Sequence, residues 1–210
     1  MSSAKLQQIS RDIEVARCKG NWQAIPELAR RYKKYNPDGT VTEQTILAEA
    51  SLSQLVASQS VADYSHDSPT HISLDERLDP NAIKSVQNQL RAVLQLPDDQ
   101  NHPQKEFANI VMARSYFECG EYEKTLEIVE KLSFNREDVS EGYGFVLFLQ
   151  ARTVKAISLE ILGNIDAALQ SYEGIVNLLN EGIHVPRERV LADWAENALY
   201  RGSLLALREG

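Results

Sequence analysis

Three short strings share one pattern: Gly20-Asn21-Trp22, Gly120-Glu121-Tyr122 and Gly163-Asn164-Ile165. Each sets a glycine, a polar residue and a bulky apolar residue between two runs whose apolar positions recur at helical spacing. Glycine takes the left-handed backbone that ends a helix, and almost no chain remains before the next helix begins. The flanking helices must therefore return antiparallel, so a chain that uses this turn three times is a stack of helical hairpins. Ala, Leu, Gln, Glu, Lys and Arg fill the long segments, and period-two runs of Val, Thr and Ile are almost absent, so no strand is expected.

The offsets around the glycines carry more. Around Gly120 the apolar and small residues fall at Ala113, Tyr116, Phe117, Tyr122, Thr125 and Val129; around Gly163 they fall at Ala156, Leu159, Ile165, Ala168 and Tyr172. This spacing resembles the tetratricopeptide repeat, in which a small residue seven before the turn glycine lets the two helices pack closely. The fold expected is all-α: a right-handed solenoid of antiparallel hairpins with about nine helices. Gly120 and Gly163 are 43 positions apart, against about 34 for the standard repeat, and the extra length is expected at 133–144.

The chain divides into three parts. Residues 1–57 hold the N-terminal helices: one over about 3–18 with Leu6, Ile9, Ile13 and Ala16 or Arg17 inward, a second over Trp22–Tyr35, and a third opening at Thr40 with Glu43 at capping-box spacing. Residues 58–78 have the polar composition of a mobile loop. Residues 79–210 hold helical repeats, opened by Asp79-Pro80 as N-cap and first-turn proline. The ninth helix begins near Pro186. Its last residues resemble those that close the fifth, and Ser203 stands seven before Gly210, so it reads as the first helix of a further repeat. A face prepared for a following repeat is apolar.

The net charge of −8 is unevenly spread. Residues 1–36 hold eight Lys or Arg against Asp12, Glu14 and Glu27, a balance of +5 that leaves −13 on the remainder. Nucleic acid is therefore not an expected partner. The cluster Arg30-Arg31-Tyr32-Lys33-Lys34 is a candidate surface for an acidic protein or anionic lipid; a basic last turn that complements the helix dipole is the plainer account. Trp194 is a second candidate partner contact, and Trp22 is expected to staple the first two helices. Tyr32, Tyr35 and Tyr143 are the aromatics expected to be exposed.

No catalytic, cofactor or metal site is expected. His66, His71, His102 and His184 lie in probable loop sequence without a second ligand at helical spacing. Cys18 and Cys119 each precede a turn glycine, with no base placed to activate either thiol. Gly142-Tyr143-Gly144 lacks the third glycine and the strand of a dinucleotide loop. The N-terminus has no long apolar run, since Lys5, Arg11, Asp12 and Glu14 interrupt it, so neither a signal peptide nor direct membrane insertion is expected.

A narrower resemblance lies in Ile13-Glu14, Arg17-Cys18, Trp22 and Ile25-Pro26-Glu27-Leu28, and more loosely in Asp193-Trp194 through Leu204-Leu205. These strings resemble the tetratricopeptide-repeat scaffold subunit of the plasma-membrane phosphatidylinositol 4-kinase complex, the family of mammalian tetratricopeptide repeat protein seven and its fungal cargo-transport counterpart. The resemblance implies a cytoplasmic scaffold, peripheral at the plasma membrane through its partners. Those partners would be the kinase catalytic subunit, a lipid-anchored plasma-membrane protein and a further regulatory subunit. It implies no catalytic residues. The alternative is a co-chaperone adaptor that clamps an acidic peptide in its concave groove, for which Arg114, Arg152 and Asn197 are the scattered candidates.

Overall fold

The computed structural model describes residues 2–59, 77–97, 103–133, 142–180 and 189–209. Among these the regular structure is helical throughout: α1 (Ser2–Cys18), a single 3-10 turn (Trp22–Ala24), α2 (Ile25–Tyr35), α3 (Thr40–Gln59), α4 (Pro80–Leu94), α5 (Pro103–Glu118), α6 (Tyr122–Val129), α7 (Gly142–Ile161), α8 (Ile165–Asn180) and α9 (Arg189–Glu209). The loop expected at 58–78 falls mostly outside the described residues, as do all four histidines, the start expected for the ninth helix and Gly210.

The three turns are built alike. Gly20, Gly120 and Gly163 have φ of +69°, +76° and +79°. In each, the residue after the glycine donates its N–H back to the carbonyl five before it: Asn21 to Ala16 (2.8 Å), Glu121 to Tyr116 (2.9 Å) and Asn164 to Leu159 (2.9 Å). This is the six-to-one bond of a Schellman motif, which satisfies a carbonyl the helix end would leave unpaired. The small residues then meet across each hairpin. Ala113 faces Thr125, whose hydroxyl donates to the Ala113 carbonyl at 3.3 Å, and Ala156 and Ala168 are both fully buried.

Two boundaries differ from expectation, each for a backbone reason. The second helix is α-helical only from Ile25, because Pro26 has no N–H to donate to the Trp22 carbonyl; the Ile25 N–H takes that carbonyl instead and tightens the entry into a 3-10 turn. Asn21 stands at the N-cap of that turn without a side-chain bond. The sequence pattern predicts a sixth helix over about 122–133; it ends at Val129, beyond which Lys131 and Leu132 donate to carbonyls three residues back.

The odd helices α3, α5, α7 and α9 pack each on the next, and the even helices α4, α6 and α8 pack only on their sequence neighbours. The result is an all-α solenoid with an odd and an even layer. One apolar core joins α5 to α9 around Phe117, Leu149 and Ile157. A second joins α3, α4 and α5 around Leu52, Ile83 and Leu90. A third holds the N-terminal helices around Ile9, Ile13 and Ile25.

The first helix departs from that order. It packs on α2, α7 and α9 and on no even helix beyond α2, so it lies over α7 and α9 of the odd layer. That cover is why α7 is buried nearly all round, with Tyr143, Val146, Leu147, Gln150, Val154 and Ile157 each at most 3 % exposed. Trp22 belongs to both the α5–α9 core and the N-terminal core, so it staples α1 and α2 to the repeats as well as to each other.

Candidate functional site: a basic groove beside a closed interior

The side chain that docks α1 is Arg17. Its Nε and Nη2 donate to Glu49 Oε2 on α3 at 2.8 and 2.5 Å, and its guanidinium lies 3.9 Å from the centre of the Tyr143 ring on α7. Glu49 has no exposed side-chain surface, and its second oxygen accepts from the Tyr143 hydroxyl at 2.6 Å. Glu14, one turn before Arg17, accepts the Tyr143 backbone N–H at 2.8 Å. That contact lies beside Gly142, whose φ of +65° and lack of a side chain leave room for the carboxylate.

This overturns the expectation that Tyr143 is exposed. It is 3 % exposed, because Arg17 and Glu49, distant in sequence, supply its partners inside the fold. Burial, followed by the Glu49 carboxylate, raises its phenol well above the ordinary value.

The solenoid's interior is consumed in the same way. Arg114, 7 % exposed, donates to Ser53 at 2.9 Å and Glu118 at 3.2 Å and sits 5.5 Å over the Trp194 ring. Asn197 is buried and donates to the Asp193 carbonyl, whereas Arg152 is exposed and lies over Phe148. Two of the three residues a peptide clamp would use are thus spent on internal contacts. Trp194 is 8 % exposed and packs in the α5–α9 core.

The basic cluster splits into two groups. Lys33 donates to the Pro37 carbonyl at 2.7 Å and to the Thr40 hydroxyl, holding the α2–α3 turn, and Tyr32 accepts from Asn36 in that turn at 2.8 Å. These two act as the plainer account expects, closing a helix end. Arg30, Arg31 and Lys34 lie on the opposite stripe of α2, three, four and seven positions after Glu27. With Tyr35, and with Lys5, Gln8 and Ile9 of α1, they line a groove of about 480 Å³. Lys5 stands 5.9 Å over the Tyr35 ring, and Arg30 is paired with Glu27 at 2.7 Å. Among the described residues no acid pairs with Arg31 or Lys34. Spacing on α2 makes its half of the groove readable from sequence; no sequence signal brings Lys5 and Gln8 to it.

A second surface lies at the other end. Tyr172 and Val176 of α8 with Leu199, Gly202 and Ala206 of α9 line an open groove of about 580 Å³, and Leu199, Tyr200, Leu204 and Leu207 are 40–80 % exposed. The two helices come close at Gly202, where a Cβ would stand 2.9 Å from that of Tyr172. Ser203, the small residue singled out by the offset, is exposed and bonds back to the Leu199 carbonyl. Arg201 of α9 grips Glu160 through both oxygens at 2.9 and 3.1 Å, and Tyr172 donates to the same carboxylate at 2.7 Å.

Among the described residues no group of three or more His, Cys, Asp or Glu is placed to share a metal ion, and no helix is long and apolar enough to cross a membrane. Burial, with Glu121, Glu118 and Asp79 nearby, pushes the Cys119 thiol up to about 11.

The comparisons with known proteins are narrow. Over 59 residues the chain is 37 % identical to ypp1 of Schizosaccharomyces pombe, named as a cargo-transport protein; that stretch is 28 % of this chain and 7 % of the relative. No protein-family profile matches the chain, and no solved structure does.

Proposed function

We propose that this chain is a non-catalytic scaffold segment that assembles a phosphatidylinositol 4-kinase complex and helps place it at the plasma membrane through protein–protein contacts. The observation that carries the reading is the position of α1. A solenoid that clamps a peptide keeps its concave layer open, whereas here α1 lies over α7 and α9 of the odd layer and Arg114 and Asn197 are bonded within the fold. What remains for partners is outward-facing: the basic α1–α2 groove and the apolar α8–α9 face. Broad outward contacts suit an assembly subunit more than a peptide adaptor.

The similarity to a protein named for cargo transport supports an adaptor role. The partners proposed are the kinase catalytic subunit, a lipid-anchored plasma-membrane protein and a further regulatory subunit, with the chain peripheral at the membrane through them. Coexpression of the tagged chain with the catalytic and regulatory subunits tests this. The kinase should co-elute in stoichiometric amount through gel filtration; free elution of the kinase, from this chain and from any longer protein that contains it, would remove the proposal.

A further inference from the structure

We propose that the α1–α2 groove is a docking site for an extended acidic segment of a partner protein. The inference deepens the scaffold reading and rests on it. Three features fix the ligand chemistry. First, Arg31 and Lys34 are exposed cations that no described acid neutralises, and the only carboxylate in the groove, Glu27, is held by Arg30 at two bonds of 2.7 and 3.0 Å. A carboxylate-bearing ligand therefore meets unpaired donors on the α2 wall and Lys5 on the α1 wall. Second, Ile9 and Tyr35 also line the groove, and Ile9 is only 2 % exposed, so the apolar contact on offer is narrow. Third, Gln8 lines the α1 wall; its amide N–H donates to Asp12 at 2.8 Å, which leaves its carbonyl oxygen to accept a peptide N–H.

The trough shape decides between a peptide and a membrane. Two helices wall it, so a flat lipid surface would touch the rims and leave the floor empty. A face that inserts into lipid also carries exposed large apolar side chains; those among the described residues, Val15, Val176, Leu199, Tyr200, Leu204 and Leu207, line no part of the groove. An extended segment with acids at intervals and an aliphatic residue between them fits all three features at once.

The test uses the whole chain and a fluorescein-labelled peptide of repeating Glu-Glu-Leu, read by fluorescence anisotropy, with phosphatidylserine vesicles and free glutamate as parallel probes. The peptide should bind, and weaken as ionic strength rises. Arg31→Glu with Lys34→Glu should bind about tenfold more weakly or worse, and Arg31→Gln with Lys34→Gln should lie between. Lys84→Glu with Arg208→Glu, which changes net charge equally on exposed positions of α4 and α9, should bind as the parent does. Equal loss in that control would reduce the effect to overall charge and overturn the site. So would vesicle binding without peptide binding, or no binding of either. Kinase co-elution measured on the same variants separates the two proposals: lost peptide binding with retained kinase bears on the groove's partner alone, and peptide binding without kinase in the parent removes the kinase reading alone.

Discussion

The N-terminal hairpin and the repeat hairpins end their first helices with the same turn and attach to their surroundings by different chemistry. In α5–α6 and α7–α8 the partners meet through small buried residues, Ala113 with Thr125 and Ala156 with Ala168, and apolar area supplies the attraction. The N-terminal hairpin is instead fixed on the solenoid by Arg17, Glu49, Tyr143 and Glu14, drawn from α1, α3 and α7. Apolar packing tolerates a shifted partner of similar volume. A buried carboxylate with a donor on each oxygen tolerates one placement, since any other leaves a charge without bonds. Repetition thus builds the array, and a polar junction decides where the first helix lies on it.

Breaking that junction should have the largest effect. Arg17→Met leaves Glu49 buried without its cation, and urea unfolding should show a loss of about 3–5 kcal/mol. Hydrogen exchange should show α1 released before α5–α9. Adding Glu49→Gln should recover much of the loss; strict additivity of the two changes would contradict the coupling described.

Tyr143→Phe removes one donor to a buried carboxylate and should cost about 1.5–3 kcal/mol at neutral pH. It should also change the alkaline limb of stability. The folded state raises the Tyr143 phenol above its unfolded value near 10, so its contribution is whole below about pH 10 and is lost as pH climbs past that point. Burial raises Tyr122 and Tyr172 as well, so the difference between parent and Tyr143→Phe, not the parent slope, is the measurement. Identical alkaline limbs in the two proteins would mean that Tyr143 is solvated.

The repeat side can be probed with paired glycines. Gly202→Ala puts a methyl group into Tyr172 and should cost about 1–3 kcal/mol. Gly174→Ala, on the same pair of helices with nothing near its Cβ, should stabilise by about 0.5–1 kcal/mol. A gain of similar size is expected at Gln150, fully buried on α7 with neither amide atom bonded. Gln150→Leu should raise the thermal midpoint slightly, by about 1 kcal/mol equivalent; a clear loss would reveal a bonding partner such as an internal water.

Much of the repeat architecture was legible because it is local. A glycine with positive φ, a six-to-one bond and a small residue seven positions back all lie within one hairpin, and periodicity reports them. The α2 half of the basic groove was legible for the same reason, as Glu27, Arg30, Arg31 and Lys34 share one helical stripe. Tyr143 was misplaced because its burial depends on Arg17 and Glu49, 126 and 94 positions away, which no pattern near it reveals. Asn197 and Arg114 looked like free groove residues on the same ground.

The sequence by itself determined that this chain makes helices, where most of them turn, and that its basic charge gathers at the N-terminus. Those properties follow from backbone freedom at glycine, helical periodicity and composition, each readable within a few turns. Only the tertiary structure decided that α1 crosses back over α7 and α9 and that Lys5 faces Arg31 and Lys34 across a groove. That outcome depends on which distant donors can satisfy a buried carboxylate, and such complementarity exists only once the helices are assembled.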